Sequence, residues 1–179
     1  MPLKPRVLVL PGWLNSGAAH WQSRWEARHG FERVQQSDWD WPRRGDWMAR
    51  LEEVLLAEAK PTLLAAHSLG CQLVAAWAAH SRHTALVAGA LLVAPPDTER
   101  ADTPPQLSTW TPIARGRLPF AACVVYSEDD PFCSAEQARG MAEGWGARAL
   151  SLGAAGHINA ESGLGDWPQG LAWLRNLAA

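Results

Sequence analysis

Short apolar runs typical of strands alternate along this chain with segments whose apolar residues recur at helical spacing. Six apolar-rich runs predict short strands, the second of them weak, at residues 6–10, 32–36, 62–66, 86–93, 121–126 and 147–152. The runs at 86–93 and 121–126 are almost continuously apolar, which is typical of strands buried on both faces of a parallel sheet. Because helical patterns separate the runs, the sequence predicts a three-layer α/β fold with about six mostly parallel strands and helices on both faces.

Helices are predicted in five of the intervening segments, at residues 21–29, 46–59, 71–80, 134–144 and 166–177. The second carries its apolar residues at helical spacing, on Trp47, Leu51, Val54 and Leu55. Three capping residues are predicted at helix starts: Asp46, Ser134 with Gln137 three residues later, and Asp166 with Gln169.

The stretch Ala66-His67-Ser68-Leu69-Gly70 joins a predicted strand to a predicted helix. A serine at such a turn is a nucleophile elbow, where a sharp bend lifts the hydroxyl above the sheet and small flanking residues let helix and strand approach. The usual pattern is Gly-x-Ser-x-Gly, and here Ala66 replaces the first glycine. Ser68 is therefore the candidate nucleophile, and we expect the His67 side chain to point away from the active site.

An acid and a histidine follow this serine in the order that an α/β-hydrolase requires. Asp130 follows the strand predicted at 121–126, and His157 lies in a glycine-rich loop after the last predicted strand. His157 would take the Ser68 proton, and a carboxylate would hold its imidazole in the correct tautomer. Asp129 is an alternative acid; Asp130 is preferred because the following proline begins the loop into the next helix.

Attack by a serine also creates an oxyanion that needs N–H donors. The residue after the nucleophile supplies one, which makes the backbone of Leu69 the first candidate. The loop after the first strand supplies the other, and Gly12 permits its tight turn. We expect the Trp13 N–H to be the second donor, with the Leu14 N–H as the alternative.

Residues 95–119 do not fit a regular element, since they hold six of the thirteen prolines. Two interpretations stay open: a long surface connection, or a partial roof over Ser68, in the place where α/β-hydrolases insert lid material. A long ordered loop in a compact domain tends to be functional. Under the second interpretation, Asp97, Trp110 and Ile113 would be able to contact substrate.

Composition narrows the class of protein further. A chain of 179 residues suits one domain, 1–179, and a net charge of −2 gives no electrostatic reason to expect nucleic acid or an anionic membrane. The N-terminus lacks a signal-peptide pattern, so the expected location is cytoplasmic.

Three cysteines without framework spacing predict reduced thiols, with Cys133 the candidate for an accessible one. No cysteine–histidine cluster or paired-carboxylate motif indicates a metal or a cofactor, and His80 with His83 has the helix-terminal spacing of ordinary cations.

Several blocks along nearly the whole chain carry a family resemblance. They are Pro11-Gly12-Trp13, His20-Trp21-Gln22, Ser37-Asp38-Trp39, His67-Ser68-Leu69-Gly70, Asp129-Asp130-Pro131-Phe132, Gly156-His157-Ile158-Asn159 and Trp167-Pro168. With them the chain resembles the small serine hydrolases that include the retinoblastoma-binding-protein hydrolase and the bacterial YdeN-like proteins. The resemblance implies that Ser68, Asp130 and His157 form the triad, on a minimal α/β-hydrolase fold without a separate lid domain.

The expected function is hydrolysis of a small ester, or of a thioester or amide, through an acyl-enzyme. The expected partner is a small-molecule acyl substrate. A binding module that keeps the hydrolase fold with little or no turnover is the alternative from another class. A haloperoxidase-like or carbon–carbon hydrolase activity on the same triad also stays open.

Overall fold

The computed structural model describes residues 4–178 and places six strands in one parallel sheet. The strands lie in the order β2-β1-β3-β4-β5-β6. Their bounds are Arg6–Leu10 for β1, Glu32–Arg33 for β2, Thr62–His67 for β3, Val87–Val93 for β4, Ala122–Tyr126 for β5 and Arg148–Ser151 for β6. The predicted six-stranded parallel α/β fold is therefore confirmed.

Five α-helices connect and cover the strands. They are α1 (Trp21–His29), α2 (Arg44–Ala57), α3 (Leu69–His80), α4 (Ala135–Trp145) and α5 (Pro168–Asn176). Short 3-10 helices add Thr84–Leu86, Pro105–Trp110 and Ala160–Ser162. In the part of the chain that the structure describes, no helix is long and apolar enough to cross a membrane.

Alternate residues of each central strand face opposite layers of the molecule, as the two-residue repeat of a strand requires. In β3, for example, Leu64 and Ala66 pack into the core under α2, α3 and α4, while Leu63 and Ala65 pack into the core under α1 and α5. The same alternation runs through β4 and β5. Both faces are thus covered, which explains why β4 is apolar throughout and β3 is polar only at its two ends, Thr62 and His67.

The strand order reverses between β1 and β3, because β2 lies on the far side of β1. In open parallel sheets such a reversal opens a crevice at the carboxyl ends of the two strands, where ligands bind. Gly12 follows β1 and Ser68 follows β3, so both lie at this crevice. Asp130 and His157 follow β5 and β6 at the same edge of the sheet.

Two of the three predicted helix caps are wrong. Helix α2 begins at Arg44 without a side-chain cap, and Asp46 lies inside its first turn. Helix α5 begins at Pro168, while Asp166 pairs instead with two arginines of α1, Arg24 at 2.7 Å and Arg28 at 2.8 Å. Ser134 does cap α4, because its hydroxyl accepts a hydrogen bond from the Gln137 N–H at 3.1 Å.

Residues 95–119 form a packed connection between β4 and β5. Trp110 and Ile113, two of the candidate substrate contacts, are buried in the same core as α2, α3 and α4. The Trp110 indole donates to the Pro42 carbonyl at 2.9 Å, and Gln72 of α3 donates to the Pro96 carbonyl at 2.9 Å. Two of the three candidate substrate contacts in this segment are therefore core residues.

The three cysteines are free and buried, which corrects the expectation for Cys133. Its side chain is 3% exposed, and burial together with the nearby Asp130 and Asp97 carboxylates raises the pKa of its thiol to about 12. A thiol with so high a pKa is almost entirely protonated at neutral pH and is a poor nucleophile.

The helix α3 and the strand β1 touch at Gly70. A Cβ on Gly70 would overlap the Leu10 carbonyl oxygen, so this position has no room for any side chain. Gly140 is also helical, in α4, yet a Cβ there would meet no atom within 4 Å. The two glycines therefore form a matched pair in the same kind of secondary structure.

We expect Gly70→Ala to lower the free energy of unfolding by about 2 kcal/mol or more, because overpacking outweighs the better helix propensity of alanine. Gly140→Ala, its control, should raise the same quantity by up to about 1 kcal/mol. Urea denaturation of both variants measures the difference. Equal effects at the two positions would contradict the close contact between α3 and β1.

Candidate active site

Ser68 occupies a sharp turn between β3 and α3, with backbone angles φ 54° and ψ −123°. Non-glycine residues rarely adopt positive φ, and such strain is held only where the surroundings fix it. Gly12 provides the room, because a Cβ on it would lie 2.9 Å from the Ser68 Cβ and 3.1 Å from the Leu69 nitrogen. Ser68 itself is partly exposed at the crevice.

The structure brings Ser68, His157 and Asp130 into one hydrogen-bonded line. His157 Nε2 lies 2.8 Å from Ser68 Oγ, and His157 Nδ1 lies 3.0 Å from each carboxylate oxygen of Asp130. The Asp130 side chain is 4% exposed and that of His157 is 12% exposed. A serine beside an imidazole that is oriented by a buried carboxylate is the arrangement that activates a hydroxyl for attack.

Asp130 and Asp129, the two candidate acids, have separate partners. One Asp130 oxygen also accepts the Phe132 N–H at 2.9 Å, which fixes the carboxylate toward His157. Asp129 instead accepts the Ser127 hydroxyl at 2.7 Å and the Gly156 N–H at 2.8 Å. These bonds, the Ser127 hydroxyl first, lower the pKa of Asp129. Asp129 therefore braces the loop, while Asp130 contacts the imidazole.

The loop that carries His157 is fixed on both sides of the residue. Before it, Gly156 has φ 61° and Ala155 donates its N–H to the Ser127 hydroxyl at 2.9 Å. After it, Ile158 is fully buried with φ 50°, and the Trp21 indole donates to its carbonyl at 3.0 Å. A loop held at so many points keeps its imidazole in one place without help from a substrate.

The loop after β1 lies beside the candidate nucleophile, because its Gly12 packs against Ser68. Among the described residues, the backbone N–H groups of Trp13 and Leu69 donate to no other protein group, and Leu69 begins α3. The Trp13 indole N–H is engaged separately, by the Asp40 carbonyl at 2.8 Å. The Leu14 N–H, the alternative donor, is already bonded to the Trp39 carbonyl at 3.1 Å. The structure therefore leaves Trp13 and Leu69 available as donors and engages Leu14 elsewhere.

Arg33 braces the far end of this same loop. Its guanidinium donates to the Asn15 side chain at 2.8 Å and to the Ser16 carbonyl at 3.0 Å, and it is paired with Glu26. The Arg33 side chain is only 12% exposed. Because the bonds join three separate parts of the chain, Arg33 sets where the loop ends relative to α1.

Two buried histidines beneath the site are not predicted by the sequence patterns. The His67 side chain does not point away from the site, because it donates from Nε2 to the His157 carbonyl at 2.8 Å. Its other ring nitrogen lies 3.3 Å from Nε2 of His20, a residue that the sequence marks only as part of a family block. A histidine directly before a nucleophile, at the carboxyl end of a central strand, is the signal that would have indicated such a contact.

Phe132 forms one wall of the site. Its ring centroid is 4.6 Å from that of His157, in an edge-to-face arrangement, yet its side chain remains 51% exposed. An open cleft of about 580 Å³ runs beside it along the histidine loop and is lined by Pro131, Phe132, Ala154, Ala155, Gly156, His157, Asn159, Glu161 and Ser162. An exposed aromatic ring beside a reacting group offers apolar surface to a substrate.

The chain matches a known protein family over most of its length. The sequence model of the serine hydrolase family matches residues 7–176. A comparison with curated protein sequences finds no significant match.

Solved structures with the same fold include a YdeN-like hydrolase and a ydeN gene product. A YdeN-like hydrolase from Pectobacterium atrosepticum is 28% identical, with a TM-score of 0.85 over 98% of this chain and 91% of that one. The ydeN gene product of Bacillus subtilis is 20% identical, with a TM-score of 0.74 over 97% of this chain and 98% of that one. A thermophilic esterase from Thermogutta terrifontis is 14% identical, with a TM-score of 0.69 over 100% and 92% of the two chains. The family resemblance and the fold are confirmed by these matches.

The two buried histidines make stability depend on pH. Burial, with smaller contributions from Arg33 and His157, lowers the pKa of His20 from 6.5 to about 4, and burial also holds the pKa of His67 well below its ordinary value. Both histidines therefore bind protons near pH 6.5 in the unfolded chain but stay neutral in the folded protein. Their contribution to the free energy of unfolding is fully present above that pH and is lost as the pH drops.

We expect the free energy of unfolding to fall by about 2 kcal/mol from His20 alone between pH 7.5 and pH 5, before most carboxylates titrate. His67 acts in the same direction. Urea denaturation across this range measures the loss, and the variant His20→Asn should lose less over the same interval. A wild-type stability that stays flat from pH 7.5 to pH 5 would show that these rings accept protons in the folded state.

Proposed function

Since the chain belongs to the serine hydrolase family, we propose that it cleaves a small ester through the triad of Ser68, His157 and Asp130. The observation that carries this proposal is the continuous line of hydrogen bonds, 2.8 Å from Ser68 to His157 and 3.0 Å from His157 to Asp130. Hydrolysis is the chemistry of the family, while the bond that is cleaved is our inference from this site.

The geometry supports a two-step mechanism. Ser68 Oγ attacks the acyl carbon as its proton passes to His157 Nε2, and the positive imidazolium is stabilised by the Asp130 carboxylate. The tetrahedral intermediate collapses, the bond to the leaving alcohol breaks, and His157 returns the proton to that oxygen. Water, activated by the same imidazole, then attacks the acyl-enzyme, and release of the acid regenerates Ser68.

The Trp13 and Leu69 N–H groups would bind the oxyanion of each tetrahedral intermediate. Leu69 directly follows Ser68, and Trp13 directly follows Gly12, which packs against Ser68. Both backbone N–H groups are unpaired within the described chain, which supports this role. A donor that is already in place stabilises the developing charge without reorganisation, and one such donor is worth about 3–4 kcal/mol in the transition state.

An ester is the preferred substrate because its alcohol leaves with less assistance than an amine. Thioesters and small amides use the same steps and remain alternatives. The proposal includes a small-molecule acyl substrate, a cytoplasmic location, and no role for a cofactor, nucleic acid or membrane. The charge of −2 supports the exclusion of polyanionic partners.

The two neighbouring aspartates give a direct test of the triad. We expect Asp130→Asn to lower kcat by about 10⁴-fold with the fold intact, because an asparagine favours the wrong imidazole tautomer. Asp129→Asn is the matched control and should cost far less, since Asp129 contacts only the loop. Steady-state hydrolysis of p-nitrophenyl acetate measures both. A larger loss from the Asp129 variant would show that Asp129, and not Asp130, is the acid of the triad.

A fluorophosphonate probe tests the nucleophile itself. We expect one adduct per chain on Ser68, located by mass spectrometry, with none on Ser68→Ala and weaker labelling of His157→Ala. A folded wild-type protein that neither reacts with the probe nor hydrolyses esters above the Ser68→Ala background would favour the binding module over the enzyme.

Phe132 is proposed to contact the acyl chain of the substrate. We expect Phe132→Ala to lower kcat/KM about tenfold for a p-nitrophenyl octanoate while changing the acetate little, because only the longer chain loses apolar contact. Leu56→Ala is the control, since Leu56 is similarly exposed at 44% but lies on α2. An equal loss for both esters would mean that Phe132 orients His157 and does not touch the acyl chain.

A further inference from the structure

Four groups form a hydrogen-bonded chain beneath the proposed active site. The Gln22 backbone N–H meets His20 Nδ1 at 3.1 Å, His20 Nε2 meets His67 Nδ1 at 3.3 Å, and His67 Nε2 meets the His157 carbonyl at 2.8 Å. Both imidazoles are almost completely buried, His20 at 4% and His67 at 5% exposure. Neither ring takes part in the proposed proton transfers.

The two ends of this chain fix the position of every proton in it. A backbone N–H only donates, so His20 Nδ1 must accept and carries no proton. A backbone carbonyl only accepts, so His67 Nε2 must carry one. Of the two nitrogens that remain, His20 Nε2 holds the proton of the neutral ring and donates to the bare His67 Nδ1. Every bond in the chain then has one donor and one acceptor.

A proton added to either ring breaks this order. A second proton on His20 would sit on Nδ1 and face the Gln22 N–H, while one on His67 would face the His20 Nε2–H. Burial disfavours a charge on either ring, and the Arg33 guanidinium further opposes a proton on His20. Both rings are therefore neutral, with the same tautomer.

We propose that His20 and His67 are positioning residues, which hold the backbone of His157 so that its imidazole stays within reach of Ser68. The proposal rests on the proposed function, because it assigns His157 the role of the base. His67 ends β3 directly beside the nucleophile, so one rigid strand carries both Ser68 and the donor that fixes His157. The distance between nucleophile and base is thereby set by β3 as well as by the histidine loop.

The positions involved are sensitive to small displacements. Proton transfer from Ser68 requires a heavy-atom separation of roughly 2.6–3.2 Å, and the structure has 2.8 Å. A displacement of about 1 Å at a reacting group costs as much as 10²-fold in rate. Loss of the His67 donor removes one of the bonds that hold His157, and the partly buried carbonyl that it leaves unpaired favours movement of the loop.

The first experiment determines the tautomers without any substrate. Nitrogen NMR of ¹⁵N-histidine-labelled wild-type protein distinguishes a protonated from a bare ring nitrogen. We expect His20 and His67 each to carry a single proton on Nε2 from pH 8 to pH 5.5, with resonances assigned by the variants His20→Asn and His67→Gln. A proton on Nδ1 of either ring, or titration of either ring near pH 6.5, would overturn the proposed chain.

The second experiment separates positioning from simple packing. His67→Leu removes the donor, and we expect kcat for p-nitrophenyl acetate to fall about 10–100-fold with KM changed less than about threefold. His67→Gln places an amide N–H near the position of Nε2 and should recover most of the lost kcat. His20 is the N-cap of α1, because its Nδ1 accepts the Gln22 N–H. His20→Asn keeps a capping acceptor but does not reach His67, so it should lower kcat with little effect on helix α1.

The outcomes for positioning and for the proposed function are distinguishable. A folded His67→Leu variant with wild-type kcat, or equal losses for the leucine and glutamine variants, overturns the positioning role while leaving the triad in place. The proposed function fails if the wild-type protein hydrolyses no ester and is not labelled by the fluorophosphonate although both rings have the expected tautomer. The positioning role then fails as well, because it depends on that function. Recovery by glutamine together with the expected tautomers supports both.

Discussion

The backbone of Ser68 is the constraint around which the rest of the site is arranged. A residue at φ 54° and ψ −123° gains nothing locally from that conformation, so its neighbours must hold it there. The buried strand β3 ends directly before it and α3 begins directly after it, and both are anchored in the core. The strain is small compared with the burial that those two elements would lose if the turn relaxed.

Close backbone contact is the second requirement of this turn. Gly12 lies against Ser68, and Gly70 lies against the Leu10 carbonyl. The end of β1 and the loop after it therefore contact the turn at two points. Gln22 of α1 then ties the two strands together, since its amide donates to the carbonyls of Leu10 and Ala65 at 3.0 and 2.9 Å. A fully buried amide with satisfied bonds fixes one arrangement of these strands more firmly than apolar packing alone would.

Apolar runs predict the central strands well, because a strand that is buried on both faces must be apolar at nearly every position. The order of Ser68, Asp130 and His157 is likewise predictable from the sequence, since each follows a strand whose position the hydrophobic pattern marks.

The roles of single polar side chains are harder to predict. Asp166 has the sequence position of a cap for α5, but it pairs with Arg24 and Arg28, about 140 residues away in the chain, and no local pattern reveals them. His67 shows the same limit within the site, because its partner, the His157 carbonyl, is 90 positions away and comes from a loop.

The segment 95–119 is ambiguous in the sequence for a related reason. The burial of Trp110 depends on α2 and on Pro42, and composition does not predict where those residues lie relative to the segment.

The separation in sequence between Ser68 and His157 has a consequence for how activity arises during folding. Their hydrogen bond spans 89 positions, while the turn that shapes the serine forms from two consecutive elements. Contacts between distant positions are slow to form, because the intervening chain must first be ordered. A partly folded chain can thus hold its serine correctly and still lack the proposed base, so we expect the proposed activity to arise only when the last strand and its loop dock.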